Sequence, residues 1–169
     1  MTIKIGDRLP EGTLREMIDA EREGCTIGVN SFQVSAMAKG KRLVIFGLPG
    51  AFTPTCSAKH VPGYVASFDL LKAKAVDEVW CLSVNDPYVM GAWGRDQKAA
   101  GKVRMMADGN AEFTRALGLE VDKTRDGMGL RSQRWSMLVE DGVVKLLQLE
   151  APGKFEVSDA GTMLRALGG

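Results

Sequence analysis

The sequence predicts an α/β fold in which a mixed sheet is flanked by helices on both faces. Five short apolar runs with strand character alternate along the chain with four segments of helical periodicity. Such alternation is typical of a sheet covered by helices. The turn Glu140–Gly142 separates the last two apolar runs, which predicts an antiparallel hairpin there. The sheet should therefore contain parallel and antiparallel neighbours.

The elements follow in chain order. Residues 1–40 contain short alternating runs such as Thr26–Val34, which predict an N-terminal hairpin extension. The predicted strands are Leu43–Leu48, Glu78–Val84, Val103–Ala107, Ser136–Glu140 and Val143–Leu149. The predicted helices are Pro54–Lys72, Pro87–Ala100, Ala111–Leu117 and Ser158–Leu167. Pro62 should loosen the first helix about two turns past its start, because proline removes one backbone hydrogen bond.

Length and composition favour one globular domain spanning residues 1–169. The chain is 45% hydrophobic with a formal net charge of +1, enough to bury one core. Its charges are dispersed, so we expect neither nucleic acid nor an anionic membrane as a partner. No apolar run approaches the roughly 20 residues of a membrane span, and no secretory signal is visible. A cytoplasmic location is the expectation.

Three cysteines and one histidine limit the metal and disulfide chemistry that this chain can perform. An odd number of widely spaced cysteines makes neither a disulfide framework nor a zinc site. Cys81 lies in a run that is apolar on both faces and is expected to be an inert core residue, while Cys25 is expected to be structural or incidental. Glycine-rich nucleotide motifs are absent from the sequence. We expect no metal and no cofactor.

The segment Pro49–Ser57, PGAFTPTCS, puts Cys56 in the first turn of a helix that begins near Pro54. Unpaired N–H groups and a partial positive charge at a helix start favour a thiolate over a thiol. Thr53 is a natural N-cap, and its hydroxyl would lie near the sulfur. This setting predicts that Cys56 is a nucleophile.

The spacing Pro-x-x-x-Thr-x-x-Cys, formed by Pro49, Thr53 and Cys56, resembles the active-site motif of peroxiredoxins, and PGAFTPTCS resembles their Prx5 (type II) branch. Three further stretches extend this resemblance end to end: Gly6–Pro10, Cys81–Asp86 and Arg134–Gly142. The resemblance implies a thioredoxin-like fold. It also implies a thiol-dependent peroxidase that reduces hydrogen peroxide and alkyl hydroperoxides without a cofactor.

The reaction needs an in-line attack of sulfur on one peroxide oxygen, with donors fixed beforehand around the departing oxygen. The Thr53 hydroxyl, the N–H groups of the loop 49–56 and a guanidinium are the candidate donors. The resemblance favours Arg134 as that guanidinium, with Arg131 as the fallback. Pro49 completes the set of catalytic candidates.

The remaining candidates are substrate contacts, namely Gly50, Phe52, Thr55 and His60. His60 follows Cys56 by four residues and shares its helical face, the spacing that a Cys–His acid–base pair would need. The resemblance instead implies that His60 supports the pocket.

One departure from the branch concerns the second cysteine. Where two-cysteine members carry a resolving cysteine, this chain has Lys154–Asp159 without a thiol. We therefore expect an external thiol to resolve oxidised Cys56, with glutathione and glutaredoxin first and thioredoxin as the alternative. The resemblance also implies a homodimer, with Phe52 and Pro87–Met90 as candidate contacts.

Three other interpretations stay open at this point. A Cys–His acyl transferase would use Cys56 and His60, although no orienting Asn or Asp is evident. A thioredoxin-type disulfide reductase would need a second cysteine that the segment Cys56–Lys59 lacks. A redox sensor would oxidise Cys56 without efficient turnover.

Overall fold

The computed structural model describes residues 1–21 and 24–168. Its strands are β1 Thr13–Ile18, β2 Gly28–Gln33, β3 Arg42–Gly47, β4 Glu78–Ser83, β5 Val103–Ala107, β6 Glu120–Lys123, β7 Gly129–Ser132, β8 Trp135–Glu140 and β9 Val143–Leu149. Its α-helices are α1 Val34–Ala38, α2 Val61–Ala66, α3 Phe68–Ala73, α4 Pro87–Asp96, α5 Glu112–Leu117 and α6 Ala160–Ala166.

A mixed sheet of seven strands occupies the centre of the described chain, in the order β2-β1-β5-β4-β3-β8-β9. The strands β3, β4 and β5 run parallel, whereas β8 and β9 form the antiparallel pair that the turn predicted. Asp141 and Gly142 in that turn both have positive φ, as a tight hairpin requires. The predicted thioredoxin-like α/β class is confirmed.

The predicted N-terminal hairpin is present. It is not a separate extension, however, because it joins the main sheet. The strands β1 and β2 pair antiparallel from Thr13 and Gln33 to Ile18 and Gly28. A bridge between Arg15 and Ala107 also joins β1 to β5. The hairpin therefore continues the main sheet at its edge.

The central strands are buried on both faces and separate two apolar cores. Phe46, Cys81 and Leu138 face one core, together with Cys56. The other core receives the alternate residues of the same strands, such as Ile45, Trp80 and Met137.

Gly47, the last residue of β3, lies opposite Trp135 on β8. A methyl group at position 47 would overlap the indole of Trp135. The indole N–H in turn donates a hydrogen bond to Ser132 Oγ at 3.0 Å. The missing side chain of Gly47 therefore leaves room for the Trp135 indole against β3 at the point where β8 begins.

The predicted helix Pro54–Lys72 is divided into three pieces. A widened π-turn spans Cys56–His60, where the Val61 N–H donates to the Cys56 carbonyl five residues back. The next pieces are α2 and α3, which are separated at Ser67. Pro62 lies two residues after the widened turn ends at His60, so the loosening lies in the first turn, earlier than expected. A residue without an N–H cannot supply the next i to i−4 bond.

The boundaries of two further helices differ from the prediction. Asp159 accepts a hydrogen bond from the Thr162 N–H, so α6 begins at Ala160 and not at Ser158. Asp86 caps the start of α4 at the predicted Pro87, but the helix ends at Asp96 and not at Ala100, because Lys98 takes a positive φ of 55° shortly afterwards. No helix in the described ranges is long and apolar enough to cross a membrane.

The hairpin of β6 and β7 was not predicted. Its strands pair antiparallel from Glu120 and Ser132 to Lys123 and Gly129, as a small separate sheet. This hairpin stands beside the site described next.

Candidate active site

The loop after β3 holds Cys56 at the beginning of the widened turn, where its side chain is fully buried. The Thr53 carbonyl accepts the first helical hydrogen bond from the Ser57 N–H at 2.9 Å, as an N-cap residue does. The Thr53 hydroxyl donates to the Gly50 carbonyl at 2.7 Å. The Thr53 oxygen therefore keeps its lone pairs for an O–H donor, in contrast to the donor role that the sequence suggested for it.

Arg134 directly precedes β8 and reaches the buried sulfur. Its Nη2 donates to Cys56 Sγ at 3.1 Å. A cation at hydrogen-bond distance favours the thiolate form of a cysteine. This contact brings two of the predicted site residues together.

The fallback arginine has a different place. Arg131 donates from Nε to the Met128 carbonyl at 2.8 Å and from Nη1 to the Val84 carbonyl at 3.0 Å. Its Nη1 also lies 3.2 Å from the position that a Cβ on Gly50 would occupy. Arg131 therefore packs against the loop at Gly50, whereas Arg134 contacts the Cys56 thiol.

His60 is fully buried beside this pair. Its Nδ1 accepts a hydrogen bond from Arg134 Nη1 at 2.8 Å, and its Nε2–H donates to the Ser158 carbonyl at 3.1 Å. Burial and then the Arg134 charge lower the pKa of His60 to about 3. The imidazole is neutral near pH 7, which fits a supporting role and not that of an acid–base catalyst.

The segment 154–159 forms one wall of the site. The Phe155 ring centroid lies 5.0 Å from that of His60 and 5.7 Å from Arg134 Cζ. The Ser158 carbonyl accepts a second hydrogen bond, from the Tyr64 hydroxyl at 2.8 Å. The place where two-cysteine members are expected to carry a thiol is filled by packed aromatic and hydrogen-bonded groups.

Glu150 organises this wall and was missed by the sequence reasoning. It is buried, and its carboxylate accepts hydrogen bonds from the N–H groups of Glu156, Val157 and Ser158 and from Ser158 Oγ, at 2.7 to 2.9 Å. Burial alone would raise the pKa of Glu150, but these hydrogen bonds outweigh it and leave the pKa below its ordinary value. No motif in the sequence indicates a buried carboxylate here.

Asn85 ties the opposite side of the loop to the sheet. Its Oδ1 accepts hydrogen bonds from the Ala51 N–H at 2.9 Å and from Ser83 Oγ at 2.6 Å. On the same side, Trp93 donates from Nε1 to Ser57 Oγ at 3.1 Å. These contacts hold the residues on both sides of Cys56.

The other candidate substrate contacts occupy two places. Pro49 and Thr55 line a cleft of about 280 Å³ that Arg134 also lines, and Gly50 is buried in the loop behind it. Phe52, at φ 61°, is 55% exposed, and its ring centroid lies 6.3 Å from that of Trp93. Phe52 is not among the residues that line this cleft.

The other two cysteines are thiols in the described chain. Burial, and then the negative charge at Cys56, raise the pKa of Cys81 well above its usual value. Cys25 is half-buried. Among the described residues, no group of three or more His, Cys, Asp and Glu side chains could hold a metal ion.

Comparison with known proteins identifies relatives over nearly the whole chain. The family model described as Redoxin matches residues 4–164. Peroxiredoxin-2B of Arabidopsis thaliana is 45% identical over 165 residues, which cover 98% of each sequence. A crystal structure of reduced Prx3 from Vibrio vulnificus in complex with H2O2 is 48% identical, covers 98% of this chain and 99% of its own, and superposes with a TM-score of 0.90.

A second structure, from Burkholderia cenocepacia, is provisionally described as a thioredoxin reductase. It is 61% identical, with a TM-score of 0.96 and 98% coverage of both chains. The two solved structures share the fold of the present chain, and all three proteins match it over nearly their whole length.

Proposed function

Because this chain belongs to the Redoxin family and is a peroxiredoxin, an enzyme that reduces peroxides with a thiol, we propose that Cys56 is its peroxidatic cysteine and that an external thiol resolves it. The 3.1 Å contact between Arg134 Nη2 and Cys56 Sγ is the observation that carries this proposal. The sequence relatives and structural neighbours of the chain are consistent with the type II, Prx5-like branch.

In the first step the Cys56 thiolate attacks one oxygen of the peroxide. An S–O bond forms, the O–O bond breaks, and the departing oxygen leaves as hydroxide or alkoxide and takes up a proton. Cys56 is then a sulfenic acid. The Arg134 guanidinium supports this step because it both favours the attacking thiolate and can donate to peroxide oxygen as charge develops.

Thr53 supports the same step as a hydrogen-bond acceptor. Its own hydrogen is donated to the Gly50 carbonyl, which turns an oxygen lone pair toward an incoming O–H. The H2O2 complex of the Vibrio vulnificus relative supports placing hydrogen peroxide in the corresponding site. Catalytic roles for Thr53, Arg134 and Pro49 are part of this proposal.

The second step is resolution by a thiol from outside the chain. Segment 154–159 carries no cysteine, and the buried Cys81 has a raised pKa that disfavours a nucleophilic thiolate. A small thiol such as glutathione, followed by glutaredoxin, is therefore the first choice of reductant. Thioredoxin is the alternative.

Peroxide consumption tests the proposal. Wild type, Cys56→Ser and the control Cys25→Ser should each be supplied with glutathione plus glutaredoxin, or with thioredoxin and its reductase. We expect Cys56→Ser alone to lose turnover, and the glutaredoxin arm to sustain the wild type. Turnover in the thioredoxin arm alone would reject the reductant assignment, and persistent turnover of Cys56→Ser would reject the nucleophile.

A redox sensor is the second candidate, and slow turnover with both reductants would favour it. A thioredoxin-type disulfide reductase would need a second cysteine within Cys56–Lys59, which this chain lacks.

A further inference from the structure

The cleft beside Cys56 combines residues of the active site with elements that the peroxide chemistry does not use. It measures about 280 Å³ and lies between the β6–β7 hairpin and the loop that follows β9. Its lining includes Pro49 and Thr55 from the active loop and Val121 and Phe155 as apolar walls. This volume is near the lower end of the roughly 300–1,000 Å³ range of small-molecule sites.

The charged groups of the cleft are mostly cationic. Arg134, Lys123 and Lys154 all line it, and Glu150 is the one carboxylate among the lining residues. The Glu150 oxygens are occupied by the backbone N–H groups of the wall. The cleft therefore presents a net positive charge to a ligand.

The two lysines are available to a ligand. Lys123 Nζ is 3.7 Å from the exposed Asp126 carboxylate, which is longer than a hydrogen bond. Lys154 is exposed and makes no ion pair within the described ranges. Neither amine is fixed by a close carboxylate, so both can turn toward an anionic group.

The cleft is also connected to the sulfur through the chain. Thr55, which lines the cleft, is followed directly by the buried Cys56, and Arg134, which also lines it, contacts Cys56 Sγ through Nη2 at 3.1 Å. Unwinding of the widened turn 56–60 would release Cys56 from its buried position next to Thr55. The oxidised sulfur could then meet a thiol held in the cleft.

We propose that this cleft binds the carboxylates of a small anionic thiol through Lys123 and Lys154 and so selects the thiol that resolves Cys56. This inference rests on the proposed function. The thiol sulfur, as thiolate, attacks Sγ of the sulfenic acid, so an S–S bond forms and the S–O bond breaks. The hydroxide that leaves takes up the thiol proton as water, and a second thiol later reduces the mixed disulfide.

Resolution kinetics test the selection. The variant Lys123→Gln/Lys154→Gln should consume the Cys56 sulfenic acid with glutathione about tenfold more slowly than wild type, the ratio that corresponds to about 1.4 kcal/mol. With uncharged 2-mercaptoethanol the same variant should be slowed less than twofold. Lys39→Gln/Lys145→Gln, which removes the same charge from exposed sites outside the cleft, should match wild type with both thiols. Equal slowing with both thiols, or none with glutathione, overturns the proposal.

A binding measurement separates this proposal from the peroxidase itself. S-methylglutathione cannot react, so its titration into reduced protein followed by NMR reports binding alone. Shifts should concentrate at Thr55, Val121 and Phe155 and should need a higher concentration in the lysine double variant. Such shifts would uphold the cleft even in a protein that failed to reduce peroxide. Shifts elsewhere would overturn the cleft even in an active peroxidase.

Discussion

Arg134 Nη1 donates a hydrogen bond to His60 Nδ1 over 2.8 Å, while Nη2 of the same guanidinium reaches Cys56 Sγ at 3.1 Å. One planar group thus contacts both the thiol and the imidazole. The guanidinium can donate to both atoms only in one orientation. The imidazole is fixed in turn by the hydrogen bond from His60 Nε2–H to the Ser158 carbonyl. The histidine therefore acts on the cysteine through the arginine.

Replacing Arg134 by lysine should reduce the second-order rate of oxidation by peroxide about 100-fold. A lysine keeps the charge but lacks the fork that spans His60 and Cys56. Stopped-flow tryptophan fluorescence would measure the rate, and Arg115→Lys on the exposed side of α5 is the control. If the oxidation rate of Arg134→Lys falls less than threefold, the positive charge is sufficient and the two-armed hydrogen bonding is not required.

The pKa of His60 predicts a pH-dependent stability. An unfolded histidine titrates near 6.5, whereas the buried one titrates at about 3. The unfolded state therefore binds more protons between these values, and stability falls as pH decreases through this window. Between pH 7 and pH 5 this linkage costs about 2 kcal/mol. Urea unfolding of wild type and His60→Gln would measure it.

The effect of His60 is read from the difference in pH-dependent unfolding free energy between wild type and His60→Gln, because the carboxylates titrate in both proteins. His60→Gln should lack most of the loss between pH 7 and pH 5. Equal pH dependence in the two proteins would contradict a neutral, buried His60.

Glu150→Gln should destabilise the wall of the site by about 1–3 kcal/mol, since an amide nitrogen cannot accept the hydrogen bonds that one carboxylate oxygen now takes. Amide hydrogen exchange should accelerate at Glu156, Val157 and Ser158. Glu156→Gln is a matched control because that side chain is exposed. Unchanged exchange in Glu150→Gln would show that the wall is held by other contacts.

Cys81→Ala should retain turnover within about twofold of wild type, because a buried thiol with a raised pKa supplies little thiolate. Differential alkylation and peptide mapping after one equivalent of peroxide should find Cys81 as a free thiol. A Cys56–Cys81 or Cys25–Cys56 disulfide would instead identify an internal resolving residue.

The homodimer expected from the family resemblance remains a prediction. Phe52 and Tyr88 are 55% and 67% exposed, and Phe52 lies beside Trp93 of α4, the helix that also carries Tyr88. If this face binds a second copy, Phe52→Asp should shift sedimentation toward the monomer. Leu70→Asp, on the equally exposed Leu70 of α3, should not. A wild-type monomer at all concentrations would reject the dimer.

The chemistry of the loop was accessible from sequence because it depends on local order. A buried strand, a proline at the helix start and a cysteine two residues later predict the position of Cys56 without tertiary information. The choice between Arg134 and Arg131 came from the family resemblance. The structure shows the physical difference, since Arg131 is engaged by the Met128 and Val84 carbonyls.

Other parts could not be predicted, since long-range contacts decide them. In the sequence Glu150 looks like any exposed acidic residue before a turn. In the structure its carboxylate is buried and accepts hydrogen bonds from backbone N–H groups six to eight residues later. The strand β6 has one apolar residue, Val121, among three charged ones and no buried position, so its sequence gives no strand or core signal. The widened turn arises within a pattern that is apolar at ordinary helical spacing.

Gly47 is a position that tolerates no side chain although it does not itself contact the Cys56 sulfur in any hydrogen bond. Any side chain there would push against Trp135, and Trp135 is covalently next to the arginine that contacts the thiol. A survey of all single variants should therefore find position 47 nearly as restricted as position 56, for steric instead of chemical reasons. The active site requires that position 47 has no side chain, because any Cβ there would displace Trp135 and with it the neighbouring Arg134.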